Sequence, residues 1–149
     1  MTTRTIQFTL GALLGFGALN AFGGAYYGMT GAAGVPKEWL DGSPFSDYFV
    51  PSLILGIVVG GSLAFAGLAV LCSWRRARLF AFAAVSIVLG WLAVQLGIVG
   101  YVSFMQPVTA LVALVILLLA SRLPNGETAT KRHQGAHDHG AQQDIPARE

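Results

Sequence analysis

The sequence predicts an all-α protein: a four-helix transmembrane bundle, with both termini in the cytoplasm and a short helix in a loop on the outer face. Three observations carry this. Of 149 residues, 54% are hydrophobic and only 11% are charged, against about 25% charged in a soluble domain. The mean hydropathy is +0.64. The charges are gathered into short segments between long uncharged runs. This pattern excludes a soluble globular domain and a disordered chain. A single cysteine, Cys72, excludes a disulfide scaffold, a CxxC pair and a four-thiolate zinc site.

The uncharged runs are residues 5–36 (32 residues), 48–74 (27) and 79–121 (43). A spanning helix needs roughly 20 apolar residues. The first two runs hold one span each. The third holds two, joined by a turn at Gly97, Gly100, Tyr101 and Ser103, with Pro107 in the first turn of the next helix. The expected spans are 6–29, 48–72, 79–99 and 104–121, within a membrane domain of residues 1–122. A cleaved signal peptide competes for the first span, because Arg4, an apolar run and small residues near Ala21 and Gly23 fit one. The run continues past those residues, which favours a retained helix. Residues 123–149 are polar and are expected to form a disordered cytoplasmic tail.

Orientation follows from the loops. Arg4 precedes the first helix, Arg75, Arg76 and Arg78 lie between the second and third, and Arg122 opens the tail. These regions fall on one side of a four-span topology. The other side holds the 30–47 loop, where Lys37 stands against Glu38, Asp41 and Asp47, and the uncharged 100–103 turn. The positive-inside rule therefore places both termini in the cytoplasm. The net charge of +2 is no nucleic-acid signature, since basic residues flanking apolar spans are the usual topology signal, and nucleic acid is not an expected partner.

Helix packing is written in small residues. Gly17, Asn20, Gly24 and Gly28 share one face of the first helix, and Gly56, Gly60, Ala64 and Gly67 one face of the second. Small residues four apart let backbones approach in lipid. The first two helices are expected to pack through these faces, with a dimer through the same stripe as the alternative. Trp39, Tyr48 and Tyr101 suit the outer interface and Trp74 the inner one, beside arginines that would meet anionic headgroups. Trp91 is expected in the core, and Cys72 as a buried structural cysteine.

The outer loop is the least generic segment. Pro36 can start a helical turn and Gly42 can end it. Trp39 and Leu40 would dip into the interface while Lys37, Glu38 and Asp41 face water. Asp47 is placed to cap the second helix, and Pro51 fits its first turn. Two readings stand. The loop is a lid that seals the outer end, or it is a recognition surface of Lys37, Glu38, Trp39, Asp41, Phe45 and Asp47.

No Asp, Glu, Lys, Arg or His lies inside an expected span. Proton-coupled transporters and pumps normally keep such a residue in the membrane. A small multidrug-type transporter needs an embedded glutamate, a membrane haem protein needs histidines in its spans, and a quinone-linked thiol oxidase needs paired cysteines. An intramembrane protease needs a Ser–His pair or two aspartates. No enzymatic activity and no cofactor are expected. The polar span residues are Asn20, Gln95 and Gln106. At 1.5 Å per residue Asn20 lies roughly 21 Å, and Gln95 roughly 24 Å, from the cytoplasmic ends of their helices. Tyr26 and Tyr27 end the first helix at a similar level. A polar layer under the outer loop is expected. It would serve as interhelical hydrogen bonding, worth about 0.6 kcal/mol on average, or as a small outward-facing binding pocket. The tail histidines His133, His137 and His139, with Asp138, have a spacing that could hold a divalent metal only weakly. No resident metal is expected.

The run from Val35 through Pro36-Lys-Glu-Trp-Leu-Asp-Gly-Ser-Pro-Phe-Ser-Asp-Tyr-Phe-Val-Pro-Ser-Leu-Ile to Leu55 resembles a segment of small four-helix integral membrane proteins of bacteria, actinobacteria especially. The hairpin from Gln95 to Pro107 is similar to their second half, where a pair like Gln106-Pro107 opens the last helix. The resemblance covers most of residues 6–121 and excludes the tail. It implies a fold and a location in the bacterial inner membrane, and it carries over no catalytic residues. The function expected first is a non-enzymatic accessory or interaction component of that membrane, contacting lipid and another membrane protein or a second copy. The alternative is a small-solute channel, transporter subunit or receptor built around the Asn20/Gln95 layer.

Overall fold

The computed structural model describes residues 3–98, 100–101 and 105–123. Among them every regular element is helical: α1 (Thr3–Met29), a 3₁₀ turn (Lys37–Leu40), α2 (Phe49–Leu71), α3 (Ala77–Ile98) and α4 (Met105–Ser121). Three helices, α1, α2 and α3, are long and apolar enough to cross a membrane. α4 has 17 residues, about 26 Å at the α-helical rise, which is the short end of the spanning range. The third helix starts at Ala77, two residues before its expected start. Its first turn includes Arg78, a charge the apolar run does not count. The turn residue Ser103 and the tail from residue 124, with its three histidines, lie outside the described residues.

Each hairpin is made by a helix end that satisfies its own carbonyls. At the end of α1, Gly31 N–H donates to Gly28 O (3.2 Å) and Ala32 N–H to Tyr27 O (3.1 Å). Gly31 takes φ +102°. This is the paired bonding of a Schellman motif, which needs a left-handed residue just past the helix. α2 ends the same way, with Ser73 N–H on Val70 O (3.1 Å) and Trp74 N–H on Ala69 O (2.9 Å). Here the left-handed position holds Ser73, at φ +55°. Its Oγ accepts from Gln7 Nε2 at 3.3 Å, which ties the turn to the start of α1. Beyond the end of α3, Gly100 takes φ +78°, and its N–H reaches Leu96 O at 3.1 Å.

α1 and α2 run antiparallel along one continuous seam of small residues. A Cβ on Gly11 would meet Leu71 (2.5 Å), on Gly67 it would meet Leu14 (3.4 Å), on Gly17 Leu63 (3.3 Å), and on Gly56 Ala25 (3.0 Å). At the far end Gly28 abuts Ser52. The stretch from Gly11 to Gly28 on α1 is thus matched by the longer stretch from Ser52 to Leu71 on α2. The surplus sits in a π-helical segment, Leu55–Gly60, whose i→i+5 bonding carries more residues per turn. The wider turns keep Ser52, Gly56 and Gly60 on the buried face.

The buried face of α1 is Leu10, Gly11, Leu14, Ala18, Ala21, Ala25 and Gly28. This corrects the expected stripe. Gly28 lies in the seam and Gly17 flanks it, but Asn20 is exposed. Alanine also permits close approach between helices, and the buried face is centred on Ala18, Ala21 and Ala25, so Asn20 falls to one side. The rest of the core joins α3 to α4 through Ala81, Ala84, Val85 and Val88 with Ala113, Ile116 and Ala120. Large apolar side chains cover the outside, among them Phe16, Leu19, Ile57, Leu79, Leu111 and Leu118. An apolar exterior of this extent belongs in lipid.

One further expectation is corrected. Cys72 is exposed, because it caps α2 at the point where the chain leaves the bundle. Trp91 is partly buried and packs against the core, with its Nε1 inside and without a hydrogen-bond partner.

Candidate functional site at the loop end

The turn-over from α1 to α2 is a built structure. The Tyr27 hydroxyl donates to Ala33 O, and the Tyr48 hydroxyl donates to Pro36 O at 2.7 Å. Each tyrosine stands at a helix end and holds the loop by its backbone. Thr30 Oγ1 returns to Tyr26 O and Tyr27 O. Ala32 and Leu40 are buried beneath the loop. Pro36 precedes the 3₁₀ turn Lys37–Leu40, and Gly42 follows at φ +84°, a backbone conformation that favours glycine. Asp41 N–H donates to Glu38 O (3.1 Å) and Ser43 N–H to Leu40 O (2.9 Å). Asp47 Oδ1 accepts from Phe49 N–H at 3.0 Å, at the start of α2.

This geometry sorts the expected recognition residues. Lys37, Glu38, Trp39 and Asp41 are exposed together on and beside one turn. Trp39 is 38% exposed, while Leu40 is buried against the protein, at 7%. Asp47 is exposed, but its carboxylate is committed to the helix start. Phe45 is half-buried, and its N–H donates to Ser43 Oγ at 3.3 Å. The surface that remains free is a rigid indole between one cation and two carboxylates. The Tyr48 phenol is held above its ordinary pKa, first by burial and then by the negative charge of Glu38. It therefore stays a neutral donor to Pro36 at physiological pH. The sequence marked Tyr48 as an interface anchor and Tyr27 as a helix end. It gave no sign that their hydroxyls strut the loop, since both acceptors are main-chain carbonyls.

The polar span residues are placed separately. Asn20 points out of the bundle and donates Nδ2 to Phe16 O of its own helix at 2.9 Å. Gln95 is half-buried on α3. Gln106 Nε2 donates to Gly100 O at 3.0 Å, which closes the α3–α4 hairpin, and its Oε1 is buried without a partner. The outward turn of Asn20 leaves it outside any layer within the bundle. Among the described residues no group of three or more His, Cys, Asp or Glu side chains could hold a metal.

The opposite end has the other charge. Gln7 bonds Ser73, and Arg78 Nη1 reaches Leu123 O at 3.5 Å. These bonds bring the start of α1, the α2–α3 turn and the end of α4 to one level. Arg4, Arg75, Arg76, Arg78 and Arg122 all belong to it. Glu38, Asp41 and Asp47, the acidic residues among those described, all lie at the loop end.

Apolar helices, a lipid-suited exterior and charge divided between the two ends define a helical membrane protein. Compared with protein-family models, with curated proteins and with solved structures, the chain matches none.

Proposed function

We propose that this chain is a non-enzymatic accessory component of a bacterial inner membrane, which docks another membrane protein through its loop end. In this reading α4 completes a fourth span. The arginine end, with both termini, faces the cytoplasm, and the loop faces outward, as the positive-inside rule requires. The observation that carries the reading is the loop's construction. Two tyrosine hydroxyls, two buried side chains and a capped helix start hold a four-residue turn that leaves Trp39 in reach of a partner. A pre-ordered surface loses little entropy on binding, and a rigid tryptophan beside charged groups is a common energetic centre of an interface. The channel or receptor reading draws less support, because Asn20 turns away from the bundle.

The test is photo-crosslinking in native membranes from a reactive residue at position 37, beside Trp39, with position 16 on the exposed apolar face of α1 as control. The reading expects one discrete protein adduct from position 37, lost on Trp39→Ala, and none from position 16. Lipid adducts alone at both positions would overturn it.

A further inference from the structure

We propose that the arginine end is a binding site for an anionic phospholipid, with the phosphate held at Arg75 and Arg76 and an acyl chain laid on an aromatic plate below them. The inference stands on the membrane reading and is independent of any role for the loop. The plate is formed by Phe65, Trp74 and Phe80. Phe65 meets Phe80 edge-on at 5.0 Å between ring centroids and Trp74 at 5.6 Å, and Trp74 meets Phe80 at 6.5 Å. Three mutually perpendicular contacts fix the rings against one another. Yet Phe65 and Trp74 stay about half exposed, at 47% and 50%. They form an ordered apolar surface that faces outward from the bundle between the end of α2 and the start of α3.

Arg75 and Arg76 follow Trp74 directly and are exposed, as are Arg4 and Arg122 at the same end. Arg78 is committed elsewhere, to Leu123 O and the face of Phe82. No acidic side chain among the described residues lies at this end. Exposed cations adjoining an apolar plate in the chain match the two parts of one ligand, a phosphate diester joined to hydrocarbon. Guanidinium groups suit it because they give phosphate paired, planar donors. A soluble anion would satisfy the arginines and leave the rings bare. A neutral phospholipid would cover the rings and leave the arginines without net counter-charge.

The test uses the full chain in a neutral detergent, titrated with phosphatidylglycerol, with phosphatidylcholine and with inorganic phosphate. Thermal unfolding and native mass spectrometry serve as readouts. The proposal expects phosphatidylglycerol to raise the melting temperature and to remain bound through gentle activation, while the other two do neither. Arg75→Gln with Arg76→Gln should weaken the lipid about thirtyfold, from the effect of two basic residues near an anionic surface. Lys37→Gln at the other end should leave binding unchanged. Phe65→Ala should lower retention of the long-chain lipid, although every arginine remains. Equal effects of phosphatidylcholine, equal effects of inorganic phosphate, or full retention by the double variant would each overturn the proposal. Both arginines are exposed, so the double variant should fold, and its melting temperature without lipid checks this directly. The crosslink from position 37 should be unaffected by the double variant, which separates failure here from failure of the docking reading.

Discussion

Gly28 of α1 and Ser52 of α2 meet where no side chain on α1 can fit: a Cβ added to Gly28 would lie 2.9 Å from Ser52 Cβ and would overlap the Ser52 hydroxyl. Ser52 is itself 7% exposed, the one buried polar residue among those described. The contact fixes the end of the seam immediately below the loop, so the loop's position depends on it. Gly28→Ala should cost about 1–3 kcal/mol, the usual range for overpacking. Adding Ser52→Gly should restore most of that loss, because it removes both clashing atoms. Gly23→Ala, on an open face of the same helix, should be neutral or mildly stabilising. Thermal unfolding in detergent of these four proteins checks the set.

Ser73 sits at φ +55° in the C-terminal motif of α2. A left-handed residue other than glycine costs roughly 1–2 kcal/mol, against which Ser73 gains one exposed 3.3 Å bond from Gln7. Ser73→Gly should therefore stabilise the protein by about 1 kcal/mol, while Gln7→Ala should change it little. The same unfolding assay reads both. A loss on Ser73→Gly would mean that the bond to α1 outweighs the backbone strain.

The Tyr48–Pro36 strut makes the loop sensitive to alkali. Burial and Glu38 raise the Tyr48 pKa in the folded protein. The folded state then holds the phenolic proton more tightly than the unfolded state. The sign follows from linkage: the contribution is complete below the ordinary tyrosine pKa near 10 and is lost as pH rises toward the folded-state value. Hydrogen exchange at Trp39 and Asp41, whose amides close the turn, should accelerate above pH 10 beyond the intrinsic base dependence. Tyr48→Phe should remove that extra dependence and weaken the turn by about 1 kcal/mol at neutral pH.

Asn20 and Gln106 should respond differently to loss of polarity. Asn20 is exposed and bonded within α1, so Asn20→Leu should shift stability by less than about 0.5 kcal/mol. Gln106 is half-buried and closes the α3–α4 hairpin through Gly100 O. Gln106→Ala should cost about 1 kcal/mol. Equal losses at the two positions would return Asn20 to the bundle interior.

Much of the architecture could be read from residue types. The apolar runs set the helices, because a span is first a matter of length and hydrophobicity. Pro36 and Gly42 marked the loop's turn through their backbone chemistry, and Asp47 the helix start through its carboxylate. Gly56, Gly60 and Gly67 located the seam on α2. Its partner face on α1 was misplaced because alanine, like glycine, can line a close helix contact, and one residue of offset turns a helix by about 100°. That offset carried Asn20 from an expected polar layer to the outside. The π segment could not be read, since it reflects the fit of α2 against α1. Nor could Ser73, a serine in a position that ordinarily favours glycine. The loop residues were found together, but their division into supports and free surface needed the hydroxyl partners of Tyr27 and Tyr48.

The decisive measurement for the proposed docking through the loop end is native mass spectrometry of the full chain, released in gentle detergent from its own host membrane. A complex with one other membrane protein at fixed stoichiometry is the expected result, together with its loss in the Trp39→Ala protein. A discrete homo-oligomer, or a monomer carrying a small molecule and unchanged by Trp39→Ala, would contradict it and favour a channel or receptor.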